Sequence, residues 1–197
     1  MNDKPSSSSS YLPKTAGLPA ALQRAADAVS LFGGWVAGLC IVALTLLVLI
    51  DTSLAALTRI FPAVPSGTGI GWEYSAYLMG SAFLLGSGMT LRAGLQLRVE
   101  LALSAGSTWV TRILETVSAL LGTVVTVSLT IWLARFTLRT YGYGEVSQES
   151  FTPLWIPQLV LTIGAGVLAF QMIARLVTCL SGQPVNNPKL GAASAIE

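Results

Sequence analysis

The stretch that decides the fold is residues 72–106, which read WEYSAYLMGSAFLLGSGMTLRAGLQLRVELALSAG. Its first half contains 18 consecutive residues without a charge, 74–91, between Glu73 and Arg92. A helix of that length measures about 27 Å at 1.5 Å per residue, which is close to the hydrocarbon thickness of a bilayer. Its second half is amphipathic and contains arginine, so it suits the membrane surface. We therefore predict a membrane span followed by an interfacial connection.

The composition is that of an integral membrane protein. The chain has 197 residues, of which 53% are hydrophobic and 10% are charged, whereas soluble domains usually carry about 25% charged residues. A net charge of +2 is too small to indicate a nucleic-acid partner. The chain has no histidine, and its two cysteines form no CxxC pair, which argues against haem and thiol chemistry. We predict no cofactor, no metal site and no catalytic residue, and hence no enzyme.

Three further apolar runs accompany the first one. They comprise residues 28–50, 116–134 and 150–174, each bounded by charged residues. Together with residues 74–91 they predict an all-α integral membrane protein, with four transmembrane helices in a domain over residues 23–180. Residues 1–22, which are rich in serine and proline, and residues 181–197 are predicted to be disordered tails.

The connection between the second and third spans, residues 92–112, is compatible with two conformations. Leucine and valine alternate with polar or small residues from Leu95 to Leu103, which formally favours a strand. Leu95, Val99 and Leu103 also follow the spacing of one helix face. Because a lone strand has no partner in a helical chain, we predict a short extended exit followed by an amphipathic helix in the membrane interface.

Lysine and arginine are distributed unevenly between the two sides of the predicted spans. Eight of the eleven lie before the first span, in the second connection or after the fourth span, and three lie in the first and third connections. Since positive residues concentrate on the cytoplasmic side of a membrane, both termini are predicted to be cytoplasmic. Aromatic residues near the opposite ends of the spans agree with an interfacial belt there; they are Trp72, Tyr74, Trp132, Tyr141, Tyr143 and Trp155.

Ionisable residues lie at the ends of the predicted spans and not at mid-depth. Gln171 is the only strongly polar side chain well inside a span, and it lies near the cytoplasmic end. A transport or catalytic site inside a membrane needs polar groups at depth. Small residues are present there instead, and Gly80, Gly86 and Gly164 are typical of close helix packing, within this chain or against a partner. These features predict a subunit that depends on a partner.

Two stretches resemble a known family of membrane proteins. GWEYSAYLMGSAFLLGSGMTLRAGLQLRVEL (71–101) is similar to the signature of the small transmembrane subunit, of DctQ type, of the tripartite ATP-independent periplasmic (TRAP) transporters. FTPLWIPQLVLTIGAGVLAFQ (151–171) is similar to the fourth span of that family. The positions that carry the first resemblance are Glu73, Tyr77, Gly86, Arg92, Gly94 and the run Gln96-Leu97-Arg98-Val99-Glu100. Gln96 stands where the family usually has histidine, and Glu100 stands where it usually has aspartate.

The resemblance implies a tripartite complex in the bacterial inner membrane. Its partners are a large permease subunit, which moves an organic acid anion with a sodium gradient, and a periplasmic solute-binding protein. The small subunit is a non-catalytic scaffold that supports the permease and helps to dock the binding protein. Candidate residues for partner contacts or for anchoring in the lipid bilayer are Glu73, Tyr77, Gly80, Gly86, Arg92, Gly94, Gln96, Arg98, Glu100, Trp155 and Pro157.

Several of these candidates have an alternative interpretation. Arg92 and Arg98 are either simple cytoplasmic anchors or contacts to the large subunit, and Glu73 is either a first-turn acid favoured by the helix dipole or a docking contact. Two other functions also remain open for the whole chain. One is the membrane anchor of a redox enzyme, and the other is a small transporter that forms its site between identical copies. The sequence contains no information on the substrate.

Overall fold

The computed structural model describes residues 18–92 and 108–181. Within these ranges the chain forms four helices, α1 (Leu18–Thr58), α2 (Gly71–Arg92), α3 (Thr108–Tyr143) and α4 (Trp155–Leu180). The same residues contain no strand, only an isolated antiparallel bridge between Val146 and Pro153. The predicted all-α fold is therefore confirmed for the described part of the chain.

Three of these helices are long and apolar enough to cross a membrane. The qualifying segments are Ala21–Thr58, Ile113–Tyr143 and Trp155–Leu180. Helix α2 has 22 residues, which is long enough, but its glycines, serines and tyrosines make it less apolar. A fourth transmembrane helix at α2 thus remains a prediction.

Two predicted boundaries differ from those of the helices. Helix α1 begins at Leu18, inside the tail predicted over residues 1–22, because Gln23 and Ala26 already belong to its buried face. Helix α4 begins at Trp155 and not at residue 150, because residues 150–154 form part of a loop that contains the Val146–Pro153 bridge.

The connection predicted over residues 92–112 is described only at its ends. Arg92 ends α2, and residues 108–112 form the first turn of α3. Residues 93–107, and residues 1–17 and 182–197 of the predicted tails, lie outside the described residues. The interfacial helix and most of both tails therefore stay predictions.

Small side chains form the interior of the bundle. Helix α1 buries Gln23, Ala26, Ser30, Gly33 and Ala37, which are spaced alternately by three and four residues and so follow one helix face. Six of the nine buried hydrophobic residues among the described ones are alanines. Large apolar side chains point outward instead. This distribution is the reverse of that in a soluble protein, and it suits helices that pack in lipid.

Helices α1, α2 and α4 pack against one another, and α3 packs mainly against α4. The closest approaches occur beside Leu84 and Leu85 of α2. A Cβ atom added at Gly33 of α1 would lie 2.8 Å from the carbonyl oxygen of Leu85. A Cβ added at Gly164 of α4 would lie 2.8 Å from the Cβ of Leu84 and 3.1 Å from the amide nitrogen of Leu85. Glycine therefore allows both neighbours to reach the backbone of α2.

We predict that Gly164→Ala destabilises the bundle. Because the added methyl group meets main-chain and Cβ atoms that cannot turn aside, overpacking should cost about 1–3 kcal/mol. The melting temperature in detergent should therefore fall. The matched control is Gly166→Ala, where an added Cβ would meet only the Cγ2 of Thr130 at 3.9 Å. That control should be neutral or slightly stabilising, since alanine favours helix over glycine. Equal melting temperatures for the two variants would contradict the packing argument.

Candidate functional site

The carboxylate of Glu73 receives hydrogen bonds from the loop between α3 and α4. Glu73 lies in the first turn of α2. The Ser147 hydroxyl donates to its Oε1, and the Ser150 hydroxyl donates to its Oε2 at 2.7 Å. The backbone amides of Glu149 and Ser150 approach the same two oxygens at 3.3 and 3.4 Å. We call this set of contacts the Glu73 clamp.

The loop that the clamp holds is a short hairpin, residues 145–154, which we call the hairpin loop. The Ser147 amide donates to the carbonyl of Thr152 at 2.9 Å, and the Leu154 amide donates to the carbonyl of Glu145 at 3.1 Å. The chain reverses within residues 148–151, which the Ser147–Thr152 bond encloses. Phe151 in this segment has a φ of 53°. A bulky residue rarely adopts this left-handed conformation, so the surrounding hydrogen bonds must hold it there.

A chain of hydroxyl groups extends the clamp along α2. The Ser150 and Thr152 hydroxyl oxygens are 2.8 Å apart, and the Thr152 oxygen is 2.9 Å from the Tyr74 hydroxyl. The ring of Tyr74 in turn meets the ring of Tyr77 edge to face, with 5.9 Å between their centroids. The hairpin loop is therefore bonded to two successive residues of α2, Glu73 and Tyr74.

Hydrogen bonding lowers the pKa of Glu73 below its ordinary value of 4.5. The largest cause is the Ser147 hydroxyl, followed by the Ser150 hydroxyl, and burial acts weakly in the opposite direction. Donors that point at the ionised carboxylate favour that form. Glu73 is thus held as an anion just outside the predicted span 74–91.

The connection between α1 and α2 is fixed at the same end of the bundle. The Thr68 amide donates to Oδ1 of Asp51 in α1 at 2.8 Å. Gly71, the first residue of α2, lies against the same carboxylate. The contact is so close that an added Cβ would overlap Oδ2 of Asp51. Asp51 therefore sets where α2 begins relative to α1, and so helps to position Glu73.

A second polar cluster joins α1 and α4 at the opposite end. Gln171, which is 1% exposed, accepts a hydrogen bond from the Ser30 hydroxyl at 3.2 Å and donates to Asp27 at 3.3 Å. Gln23 donates to the same Asp27 oxygen at 2.8 Å and accepts from the Thr178 hydroxyl at 3.1 Å. The polar atoms thus satisfy one another inside the helix interface.

Comparison with protein-family models decides the identity of the chain. Residues 44–182 match the model described as the DctQ component of tripartite ATP-independent periplasmic transporters. The chain belongs to the DctQ family. Neither the curated proteins nor the solved structures gave a significant match. The match covers α2, α3, α4 and the second part of α1, so the whole Glu73 clamp lies within it.

The clamp end of this DctQ chain contains four of the candidate residues. Glu73 is at the centre of the clamp, and Tyr77 lies one turn further along α2. Trp155 packs edge to face on Tyr141, with 5.5 Å between ring centroids, and Pro157 is buried in the first turn of α4. These four residues are brought together at one end of the bundle.

The other candidates lie elsewhere in the DctQ chain. An added Cβ at Gly80 would meet the Leu161 side chain at 3.0 Å, and one at Gly86 would meet Ala37 at 3.4 Å, so both glycines contact helices of this chain. Arg92 is the last residue of α2. Gly94, Gln96, Arg98 and Glu100 lie outside the described residues.

Sequence reasoning missed the partners of Glu73. The loop residues that bond to Glu73 and to the adjacent Tyr74 are more than 70 residues away in the chain; they are Ser147, Ser150 and Thr152. The sequence contained one signal for this contact: hydroxyl residues cluster around Pro153 after α3, and an acidic residue lies in the first turn of a helix. The DctQ chain also has no group of three His, Cys, Asp or Glu side chains suited to a metal ion within its described residues.

We predict that Glu73→Gln loosens the hairpin loop. The amide side chain offers one acceptor oxygen in place of two and carries no charge, so the hydroxyl donors lose much of their attraction. Amide hydrogen exchange of residues 147–152, followed by mass spectrometry in detergent, should become several-fold faster. Glu149→Gln changes a neighbouring exposed carboxylate and should leave the exchange unchanged. Unchanged exchange in Glu73→Gln would refute the clamp.

The clamp should also give the stability a defined pH dependence. Because the pKa of Glu73 is lowered in the folded chain, its contribution is complete above about pH 4.5, the ordinary value. The contribution is lost as the pH falls through the lowered pKa. We therefore expect the difference in melting temperature between wild type and Glu73→Gln to be constant from pH 7 to about pH 5 and to shrink below it. A difference that grows on acidification would contradict this assignment.

Proposed function

We propose that this DctQ chain is the small, non-catalytic membrane subunit of a TRAP transporter. It supports the large permease subunit and helps to dock the periplasmic solute-binding protein during sodium-coupled uptake of an organic acid anion. Membership of the family supports the general role, because the matched component belongs to a tripartite transporter. The scaffold role, the docking and the class of substrate are the parts that we add.

The observation that carries the scaffold role is the outward apolar face of the bundle. Large hydrophobic side chains of α1 and α3 are more than half exposed although small residues fill the interior. These faces must be covered by lipid or by the helices of a partner. Among the side chains that are more than 60% exposed on the two helices are Phe32, Trp35, Leu39, Leu121, Val125, Trp132 and Leu138.

Most polar groups described inside the bundle serve helix structure and packing; the buried Oε1 of Gln158 is an exception, because it has no hydrogen-bond partner within the described residues. In α3 the hydroxyls of Thr123, Thr126 and Thr130 donate to carbonyls of the same helix at 2.7–2.8 Å. In α4, Gln171 is engaged by Ser30 and Asp27. Polar groups that are already bonded to their own bundle are poorly placed to exchange hydrogen bonds with a passing solute. This supports a fixed support rather than a carrier.

The proposed topology has four spans in the bacterial inner membrane, with both termini in the cytoplasm. The excess of lysine and arginine in the tails and the second connection supports this orientation. It puts the hairpin loop and the Glu73 clamp on the periplasmic side, where a binding protein would dock. Arg92, Gly94, Gln96, Arg98 and Glu100 then belong to the cytoplasmic side, as membrane anchors or permease contacts.

The test is purification and transport with defined components. We expect the tagged chain, expressed with its large permease subunit, to retain that subunit through affinity purification in mild detergent. Proteoliposomes with the chain alone should take up no labelled succinate, pyruvate or glucuronate under an inward sodium gradient. Vesicles with both membrane subunits and the binding protein should take up at least one of these anions. Uptake by the chain alone would refute the scaffold role and favour the homo-oligomeric alternative.

A further inference from the structure

The tip of the hairpin loop carries an exposed aromatic ring on a constrained backbone. The side chain of Phe151 is 74% exposed, although its φ of 53° is unfavourable for a residue of this size. Asparagine or glycine would adopt this conformation more readily. A phenylalanine that is both strained and open to solvent contributes little to the fold of this chain, so a role outside the chain has to be considered.

Hydrogen bonds on both sides fix the backbone that carries the ring. Ser150, which precedes Phe151, donates to Glu73, and Thr152, which follows it, contacts the Tyr74 hydroxyl. The two arms of the hairpin loop are also joined by backbone bonds at 2.9 and 3.1 Å. The backbone that carries the ring is therefore held in place before any partner arrives, which reduces the entropy lost on binding.

The charged residues of the hairpin loop itself are acidic. Glu145 and Glu149 are exposed members of the hairpin loop, and the chain has no lysine or arginine between Arg139 and Arg175. Anionic phospholipid headgroups repel exposed carboxylates, and the residues typical of interfacial belts are tryptophan and tyrosine. An acidic rim around an apolar tip instead complements an apolar pocket bordered by basic residues on a protein.

We propose that Phe151 is the anchor by which the hairpin loop docks the soluble component of the transporter. The ring enters an apolar pocket on that protein, and lysine or arginine at the pocket edge faces Glu145 and Glu149. This assignment rests on the proposed function for the identity of the partner. It adds the residue, the chemistry of the contact and the role of the Glu73 clamp, which is to hold the anchor in its docking orientation.

The experiment measures binding of the purified solute-binding protein, encoded with this chain, to the complex of both membrane subunits in lipid nanodiscs. Phe151→Asn removes the ring but suits the left-handed backbone, so the hairpin loop should keep its shape. Kd should rise about tenfold or more, as for a buried aromatic anchor. Phe151→Tyr keeps the ring and should stay within about threefold of wild type. Glu145→Gln/Glu149→Gln should slow association and weaken its dependence on salt.

Controls separate this inference from the proposed function. Phe61→Ala removes an exposed aromatic from the connection between α1 and α2, outside the hairpin loop, and should leave Kd unchanged. If the wild-type complex binds the soluble protein and Phe151→Asn weakens that binding by less than about twofold, the anchor role is overturned and the docking function stands. Wild-type complex that fails to bind the soluble protein would refute the docking function itself. Quenching of Phe151→Trp fluorescence by brominated lipids, beyond that of wild type, would place the ring in the bilayer and also overturn the anchor.

Discussion

The contact of two glycines with one segment of backbone determines how the bundle is arranged. Gly33 of α1 lies against Leu85 of α2, and Gly164 of α4 lies against Leu84 and Leu85, at distances that leave no room for a Cβ. Helix axes can approach this closely only where side chains are missing, and van der Waals contact between backbones then replaces the hydrophobic effect as the source of association in lipid. The packing of α1 and α4 onto α2 follows from these contacts.

The same packing leaves the large apolar side chains without a place inside. Alanine, glycine, serine and threonine occupy the interior, so leucine, phenylalanine and tryptophan of α1 and α3 face outward. Helix α3 is the clearest case, because it packs mainly against α4 and keeps a broad exposed face. Such a bundle is complete only when lipid or another membrane protein surrounds it, and this agrees with the component role of the DctQ family.

Features that depend on local composition could be predicted from the sequence. Features that depend on contacts between residues far apart in the chain could not. Charge-free runs predicted the helices, and Glu73 was correctly expected in the first turn of α2. The start of α4 was predicted too early, because an uncharged run does not show that residues 150–154 bond to Glu73 and to one another. The packing expected of Gly80 and Gly86 agrees with the structure, because an added Cβ would meet the Leu161 side chain at 3.0 Å at Gly80 and Ala37 at 3.4 Å at Gly86.

Three separate sets of contacts fix the helices relative to one another, at three levels along the bundle. Gln171 joins α4 to Ser30 and Asp27 of α1 at one end, and the glycine contacts join α1, α2 and α4 in the middle. At the other end, Glu73 joins α2 to the loop between α3 and α4. A helix that moved during transport would have to break a buried polar cluster, a close backbone contact and a charged clamp together. Independent constraints on the same helices therefore suit a part that stays still while its partner moves.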